Sequence, residues 1–246
     1  MKHEEVYKKL IELIEKSGKN FSILEDQIDV NVQIVFFELL KDLQKNKRND
    51  TIIIADSVKL NNSEATIEEK KVLLAELSCV ESVEAYRILE KYQTVVDESL
   101  KSWTLLAFQH CRIGLESKLM DENKVFISTG LGGKESKLRY FIAGKHKENE
   151  SFTESQRKII KTEFEFIFKK HNSEIEKLEF FNQYYFFTSL IPIEVDLNNL
   201  ITDATSESNQ FGNFLQIEFL VTNIKLLSID EVEKYFNKPK NNNLNQ

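Results

Sequence analysis

The residues best suited to chemistry lie in a glycine-rich stretch between Val125 and Ile142. Three of the chain's 7 glycines are clustered there, beside hydroxyl and cationic side chains. Glycine tolerates a positive φ, and successive backbone N–H groups in such a turn can converge on an anion that nearby cations help to hold. The stretch therefore predicts an anion-binding site formed by Ser128, Thr129, Gly130, Gly132, Gly133, Lys134, Lys137 and Arg139.

The flanks of this stretch carry apolar residues in the pattern of strands, so they predict a β-hairpin with a glycine-rich tip. The spacing matches neither common nucleotide-binding motif. Glu135 follows Lys134 where a phosphate-binding loop has Ser or Thr, and Glu135 also stands at the third glycine of the dinucleotide pattern. Many glycine-rich tips only turn the chain, so a purely structural role is the alternative.

Other constellations predict no catalytic residue, no metal and no cofactor. The four histidines are dispersed, and neither the histidines nor the two cysteines have the spacing of metal ligands. His110 and Cys111 are neighbours in a predicted helix, where adjacent side chains point about 100° apart. They therefore do not form a catalytic pair, and His110 is expected to be a hydrogen-bonded core residue.

Composition narrows the choice of compartment and partners. The net charge of -7 disfavours a general nucleic-acid binder, and the aromatic residues of the predicted sheet are explained by core packing. Two isolated cysteines suit a reducing compartment. The sequence shows neither a secretory signal nor an apolar run long enough to span a bilayer. We therefore predict a soluble cytoplasmic protein with no membrane partner.

The predicted secondary structure around these residues changes near residue 121, from helices before it to mostly strands after it. Helical periodicity dominates before it and predicts the helices 4–16, 29–45, 51–60, 66–77, 81–95 and 97–120. A capping box, Thr66–Glu69, opens the fourth of these helices. Trp103 and Cys111 lie on the apolar side of the last and longest helix. The helices could form a bundle or a short solenoid-like array, since no second copy of the hairpin 66–95 is visible.

After residue 121 the predicted order is β-β-α-β-β-α-β-α, with capping boxes at Thr153–Gln156 and Ser228–Glu231. Without its first strand this order is that of an antiparallel ferredoxin-like α+β sheet domain. The best strands are apolar on both faces, which indicates that both faces are covered. The predicted domains are the helical region 1–120, the sheet domain 121–238 and a disordered tail 239–246.

These observations predict a non-enzymatic interaction or regulatory protein. Its helical region would serve as an interaction surface for a protein partner, and the sheet would dock on the helices or pair with a second copy. The glycine-rich hairpin would hold a small anion. The alternative is an enzyme that acts on a phosphorylated or nucleotide-like small molecule at the same loop. Fold-level analogy decides nothing between them, because one fold hosts many functions.

Overall fold

The computed structural model describes residues 20–122 and 124–238, so the predicted helix 4–16 and the predicted tail 239–246 lie outside the described residues. The chain divides into two compact units, Met1–Ser128 and Thr129–Gln246. The first is predominantly helical, and the second contains an antiparallel sheet. The protein is therefore of mixed α+β class, with its helical region first, as predicted.

The helical unit follows the predicted sequence of elements closely. The predicted helix 51–60 is confirmed as helical, although it divides into a short α-helix and a 3-10 turn, and the predicted helices 66–77 and 81–95 are separate. Its helices are α1 (Val30–Lys45), α2 (Asp50–Asp56), a 3-10 turn (Ser57–Asn61), α3 (Ile67–Ser78), α4 (Val83–Gln93) and α5 (Glu98–Met120). The predicted capping box of α3 is formed, because Thr66 and Glu69 satisfy each other's backbone N–H groups.

The core of the helical unit is built around α5, which packs against both α3 and α4. Trp103 is buried, as its place on the apolar side predicts, and its ring meets Phe36 edge to face. Its indole Nε1 donates to the carbonyl of Lys71 at 2.9 Å. Nδ1 of His110 lies 3.0 Å from the carbonyl oxygen of Ser78. His110 is therefore hydrogen-bonded, as predicted, and half-buried at the border of the core.

The helical unit also holds two short strands, β1 (Phe21–Ile23) and β2 (Val125–Ile127), which pair in parallel. The predicted hairpin between Val125–Ser128 and the strand near residue 140 is therefore wrong. The hydrogen-bonding edge of β2 is instead paired with β1 and the residue after it, since Leu24 N also donates to the carbonyl of Ile127. The first unit thus extends past residue 121 to include β2.

The sheet unit is ferredoxin-like, as predicted. Its strands and helices are β3 (Gly133–Lys134), β4 (Lys137–His146), α6 (Glu154–Lys170), β5 (Glu174–Phe181), β6 (Tyr184–Pro192), α7 (Leu197–Asn209), β7 (Leu215–Thr222) and α8 (Ile229–Phe236). The four long strands have the order β7-β4-β6-β5, and all neighbours are antiparallel. The two-residue strand β3 pairs with the start of β4.

Both faces of this sheet carry apolar side chains, and the described helices account for much of each. On one face, Phe164 of α6 packs edge to face on Tyr185 and Phe187 of β6. On the other face, Val232 of α8 joins the apolar cluster of Phe141 and its neighbours. The two-sided pattern seen in the sequence is thus explained in part by the C-terminal helix α8.

Candidate functional site

The glycine-rich stretch connects β2 to β3 and turns within a buried environment. Gly130 and Gly132 are both buried, and only the latter of these two has a positive φ, of 67°. A Cβ on Gly130 would collide with the backbone of Ile224, which explains glycine there by close approach. The chain then reverses between β3 and β4 at Glu135, whose φ is 55°.

Several backbone groups of this stretch are bonded to other backbone groups. Leu131 N donates to the carbonyl of Asn223 at 3.0 Å, and Gly132 N donates to the carbonyl of Thr129 at 3.2 Å. The carbonyl of Gly132 accepts from Arg139 N at 2.9 Å. These contacts fix the turn within the fold, and they direct two of its N–H donors toward protein carbonyls.

The cations of the predicted anion site have different surroundings. Lys134 and Lys137 stand opposite each other in the β3–β4 ladder, and Lys134 is exposed. Lys137 Nζ lies 3.4 Å from the side-chain oxygen of Asn172. Arg139 instead forms a two-pronged ion pair with Glu176, at 2.7 and 2.8 Å. The structure therefore brings two lysines together and engages the arginine within the protein.

A second candidate lies in the helical unit and was missed by the sequence analysis. It is an open cleft of about 600 Å³ beside the 3-10 turn and α3. Val72 and Leu73 of α3 supply apolar surface, and Glu64 and Glu68 contribute carboxylates. The lining holds five carboxylates and three cations in all, so the cleft is acidic.

A chain of ion pairs runs through the cleft. Lys59 Nζ lies 2.6 Å from a carboxylate oxygen of Asp56, and Asp56 also pairs with Arg48. Arg48 Nη1 donates to Glu76 at 2.8 Å. The side chain of Glu76 is only 6% exposed, whereas that of Arg48 is 42% exposed. One carboxylate is therefore buried at the inner end of a network that opens to solvent.

The pKa values of Glu76 and Asp56 are shifted in opposite directions. Burial raises the pKa of Glu76 above its ordinary value, although Arg48 acts in the opposite direction. Hydrogen bonds from Lys59 and Arg48 lower the pKa of Asp56. The network was not predicted because Arg48 and Glu76 are far apart in sequence. A signal did exist, since Glu76 interrupts the apolar run Val72–Leu77.

In the described part of the chain, the two cysteines lie in the helical unit without a histidine or carboxylate hydrogen-bonded to either thiol. Burial raises the pKa of Cys111 to about 12, and its Sγ contacts the carbonyl of Val80 at 3.6 Å. His110 contacts a different carbonyl, that of Ser78. Within residues 20–122 and 124–238, no three His, Cys, Asp or Glu side chains are grouped as a metal site would require.

No helix in the described part of the chain is long and apolar enough to cross a membrane. No protein-family model matches the chain. No curated protein sequence matches it either.

Among solved structures, the chain is similar to a REP-associated tyrosine transposase bound to a REP hairpin, at 10% identity and a TM-score of 0.32. The match covers 39% of this chain and 61% of that chain, less than two thirds of its length. A likeness this distant carries no argument about function here.

Proposed function

We propose that the protein is a non-enzymatic interaction protein whose helical unit binds a segment of a partner protein in the acidic cleft. The observation that carries the proposal is the cleft itself, which combines apolar surface with a surplus of carboxylates. Val72 is 37% exposed there, although it is a large apolar residue on a well-formed helix. An apolar side chain from a partner would bury this surface and gain free energy.

The charges of the cleft define the partner's chemistry. Glu64 would attract a Lys or Arg beside an apolar anchor, because complementary charges favour encounter and orientation. Glu68 could do the same by exchanging its present ion pair with Lys71, at 2.7 Å, for one with the partner. Of the described residues that line the cleft, none is His, Cys or Ser, and the buried carboxylate of Glu76 is held by Arg48. The lining therefore suits recognition better than acid–base or nucleophilic catalysis.

Affinity purification of the tagged full chain from its own cells tests this proposal. Val72→Glu places a charge on the apolar surface of the cleft, and Val95→Glu, 63% exposed and outside the lining, is the matched control. We expect one or more partners to be recovered with wild type and the control, and depleted about tenfold or more with Val72→Glu, a loss of about 1.4 kcal/mol of binding free energy. Equal recovery with all three proteins would contradict the proposal, provided that thermal melting shows all three to be folded.

A second candidate function is the binding of a small anion at the β3–β4 turn. The observation that favours it is the cross-strand register of Lys134 and Lys137, since two like charges placed opposite each other destabilise a ladder unless something neutralises them. Binding of this kind would be regulatory in an interaction protein. A substrate phosphate in the same place would support the alternative of an enzyme.

A further inference from the structure

A groove runs along the outer edge of the sheet unit, between α6 and β5. It encloses about 300 Å³. Its apolar floor is formed by half-buried side chains of β5, namely Ile175, Leu178 and Phe180. Its wall on the α6 side carries Arg157, Lys158 and Lys161.

The strand that borders the groove, β5, has no strand paired with its outer hydrogen-bonding edge among the described residues. Among the described residues, β5 is hydrogen-bonded only to β6 and stands at the end of the sheet order. The backbone donors and acceptors on its other side are therefore open to an additional strand. The ladder is regular from Lys177 to Phe181, after a register shift near Glu176, so a partner strand could pair continuously there.

The charge of the groove contrasts with that of the whole chain. The wall presents three cations, and Lys177, whose Nζ lies 2.7 Å from a carboxylate oxygen of Glu179, adds a fourth, against Glu165 and Glu176. Glu176 is already neutralised by Arg139, and Lys161 lies 4.0 Å from Glu165. In a protein of net charge -7, this groove therefore keeps a local positive excess.

One of these cations is fixed in position by the fold. The guanidinium of Arg157 lies over the ring of Phe180, 5.5 Å from its centroid, and its Nε donates to the carbonyl of Phe152 at 3.1 Å. Lys158 and Lys161 are exposed on the same helix, three residues apart, which places them on one face. The groove thus has one arginine fixed by contacts within the protein and two long, exposed lysine side chains, all beside an apolar floor.

We propose that this groove binds an extended acidic segment of a partner protein, which adds to the edge of β5 as a further strand. Strand addition supplies affinity through backbone hydrogen bonds, and alternate side chains supply specificity. Side chains at positions i and i+2 of the added segment would face α6. Apolar side chains there would cover Leu178 and Phe180, and carboxylates would meet Arg157, Lys158 and Lys161.

A second copy of this chain is a poorer occupant of the groove than an acidic partner. Pairing of two β5 edges would bring two sets of the same wall cations toward one another. Charged edges of this kind oppose self-pairing in natural sheets. The proposal concerns the sheet unit alone and stands apart from the cleft of the helical unit.

The probe for this proposal is a fluorescein-labelled peptide in which Val and Glu take turns at positions i and i+2 of one strand face, with Thr at the positions between, so that both Val and Glu can face α6. Its binding to the full chain is measured by fluorescence anisotropy. We expect it to bind saturably, and to bind at least about tenfold more tightly than the same peptide with Lys in place of Glu. Methylation of alternate backbone nitrogens removes the donors that a strand needs and should abolish binding. In ¹⁵N-labelled protein, amide shifts should move in β5 and α6.

The variant pair is Lys158→Glu with Lys161→Glu, compared with Lys147→Glu and Lys234→Glu, which are exposed lysines outside the groove. We expect the first pair to weaken binding about tenfold or more and the control pair to leave it within about twofold. Absence of binding at millimolar probe, equal binding of the methylated peptide, or equal losses in both variant pairs would each overturn the proposal.

Discussion

The carbonyl of Ile224 lies against Gly130 so closely that a Cβ on that glycine would fall within 3.0 Å of three backbone atoms of Ile224. This contact joins the glycine-rich stretch to the segment that follows β7. It is reinforced nearby by the hydrogen bond from Leu131 N to the carbonyl of Asn223. The absence of a side chain at Gly130 is therefore a packing requirement of the sheet unit.

Gly130→Ala should destabilise the fold. The obstructing atoms belong to backbone, which cannot rotate away, and overpacking typically costs about 1–3 kcal/mol. Gly114→Ala is the matched control, because its Cβ would meet the side chain of Glu81 at an ordinary 3.6 Å and would improve the helix propensity of α5. Urea unfolding of both variants measures the difference. Equal stability of Gly130→Ala and wild type would contradict the observed contact.

The stability of Glu76→Gln, measured as the free energy of unfolding, should increase relative to that of wild type as pH rises. The pKa of Glu76 is raised in the folded state above its ordinary 4.5, so the folded chain binds this proton more tightly than the unfolded chain does. Its contribution to stability is therefore fully present below about pH 4.5 and is lost as pH rises through the folded pKa. Glutamine has no such dependence.

Urea unfolding of wild type and Glu76→Gln between about pH 4 and pH 8 tests this sign. The difference in unfolding free energy should shift toward the variant with rising pH and then level off. Glu98→Gln removes an exposed carboxylate, 88% accessible, and should alter stability by no more than about 1 kcal/mol. A difference between Glu76→Gln and wild type that is constant with pH, or that shifts the other way, would show that burial does not dominate at Glu76.

Replacing Lys134 and Lys137 by Ala together should distinguish an anion site from a simple turn. If the turn holds an anion, inorganic phosphate or a nucleotide at millimolar concentration should raise the melting temperature of wild type, because a ligand that binds the native state stabilises it by mass action. The double variant should stay folded and lose that response. The control pair, Lys147→Ala and Lys238→Ala, should retain it.

The opposite result would also be informative. If none of phosphate, nucleotides or sugar phosphates shifts the melting of wild type, the anion hypothesis for the β3–β4 turn is excluded. Without a ligand, the double variant should be as stable as wild type or slightly more stable, because it removes two like charges from facing positions.

Local signals predicted the elements well. The three capping boxes, at Thr66, Thr153 and Ser228, are all formed, because each depends on residues three apart in the chain. The ferredoxin-like order followed from the succession of strands and helices. The periodicity of apolar residues and the capping of helices depend on residues close together in the chain, so both can be recognised from the sequence alone.

Pairings between distant segments were not predicted. The pairing of β2 with β1 joins three-residue strands from opposite ends of the helical unit, and neither is long enough to show a period. Both the acidic cleft and the β5 groove arise where separate elements meet. The two lysines of the predicted site do come together, because they flank a two-residue turn, whereas the partner of Arg139 is supplied by β5.

The central position of β4 in the sheet has a consequence for folding during synthesis. β4 is almost entirely buried, yet its partners β6 and β7 are synthesised much later, whereas β5 and β6 are joined by the tight turn at Asn182 and Gln183. On the ribosome, β4 is therefore the first of the four long strands to be made, and we expect it to lack its long partner strands until β6 has been synthesised. We expect the β5–β6 hairpin to form early, because its strands are adjacent in sequence, and β7 to pair with β4 last, since long-range pairing is slow.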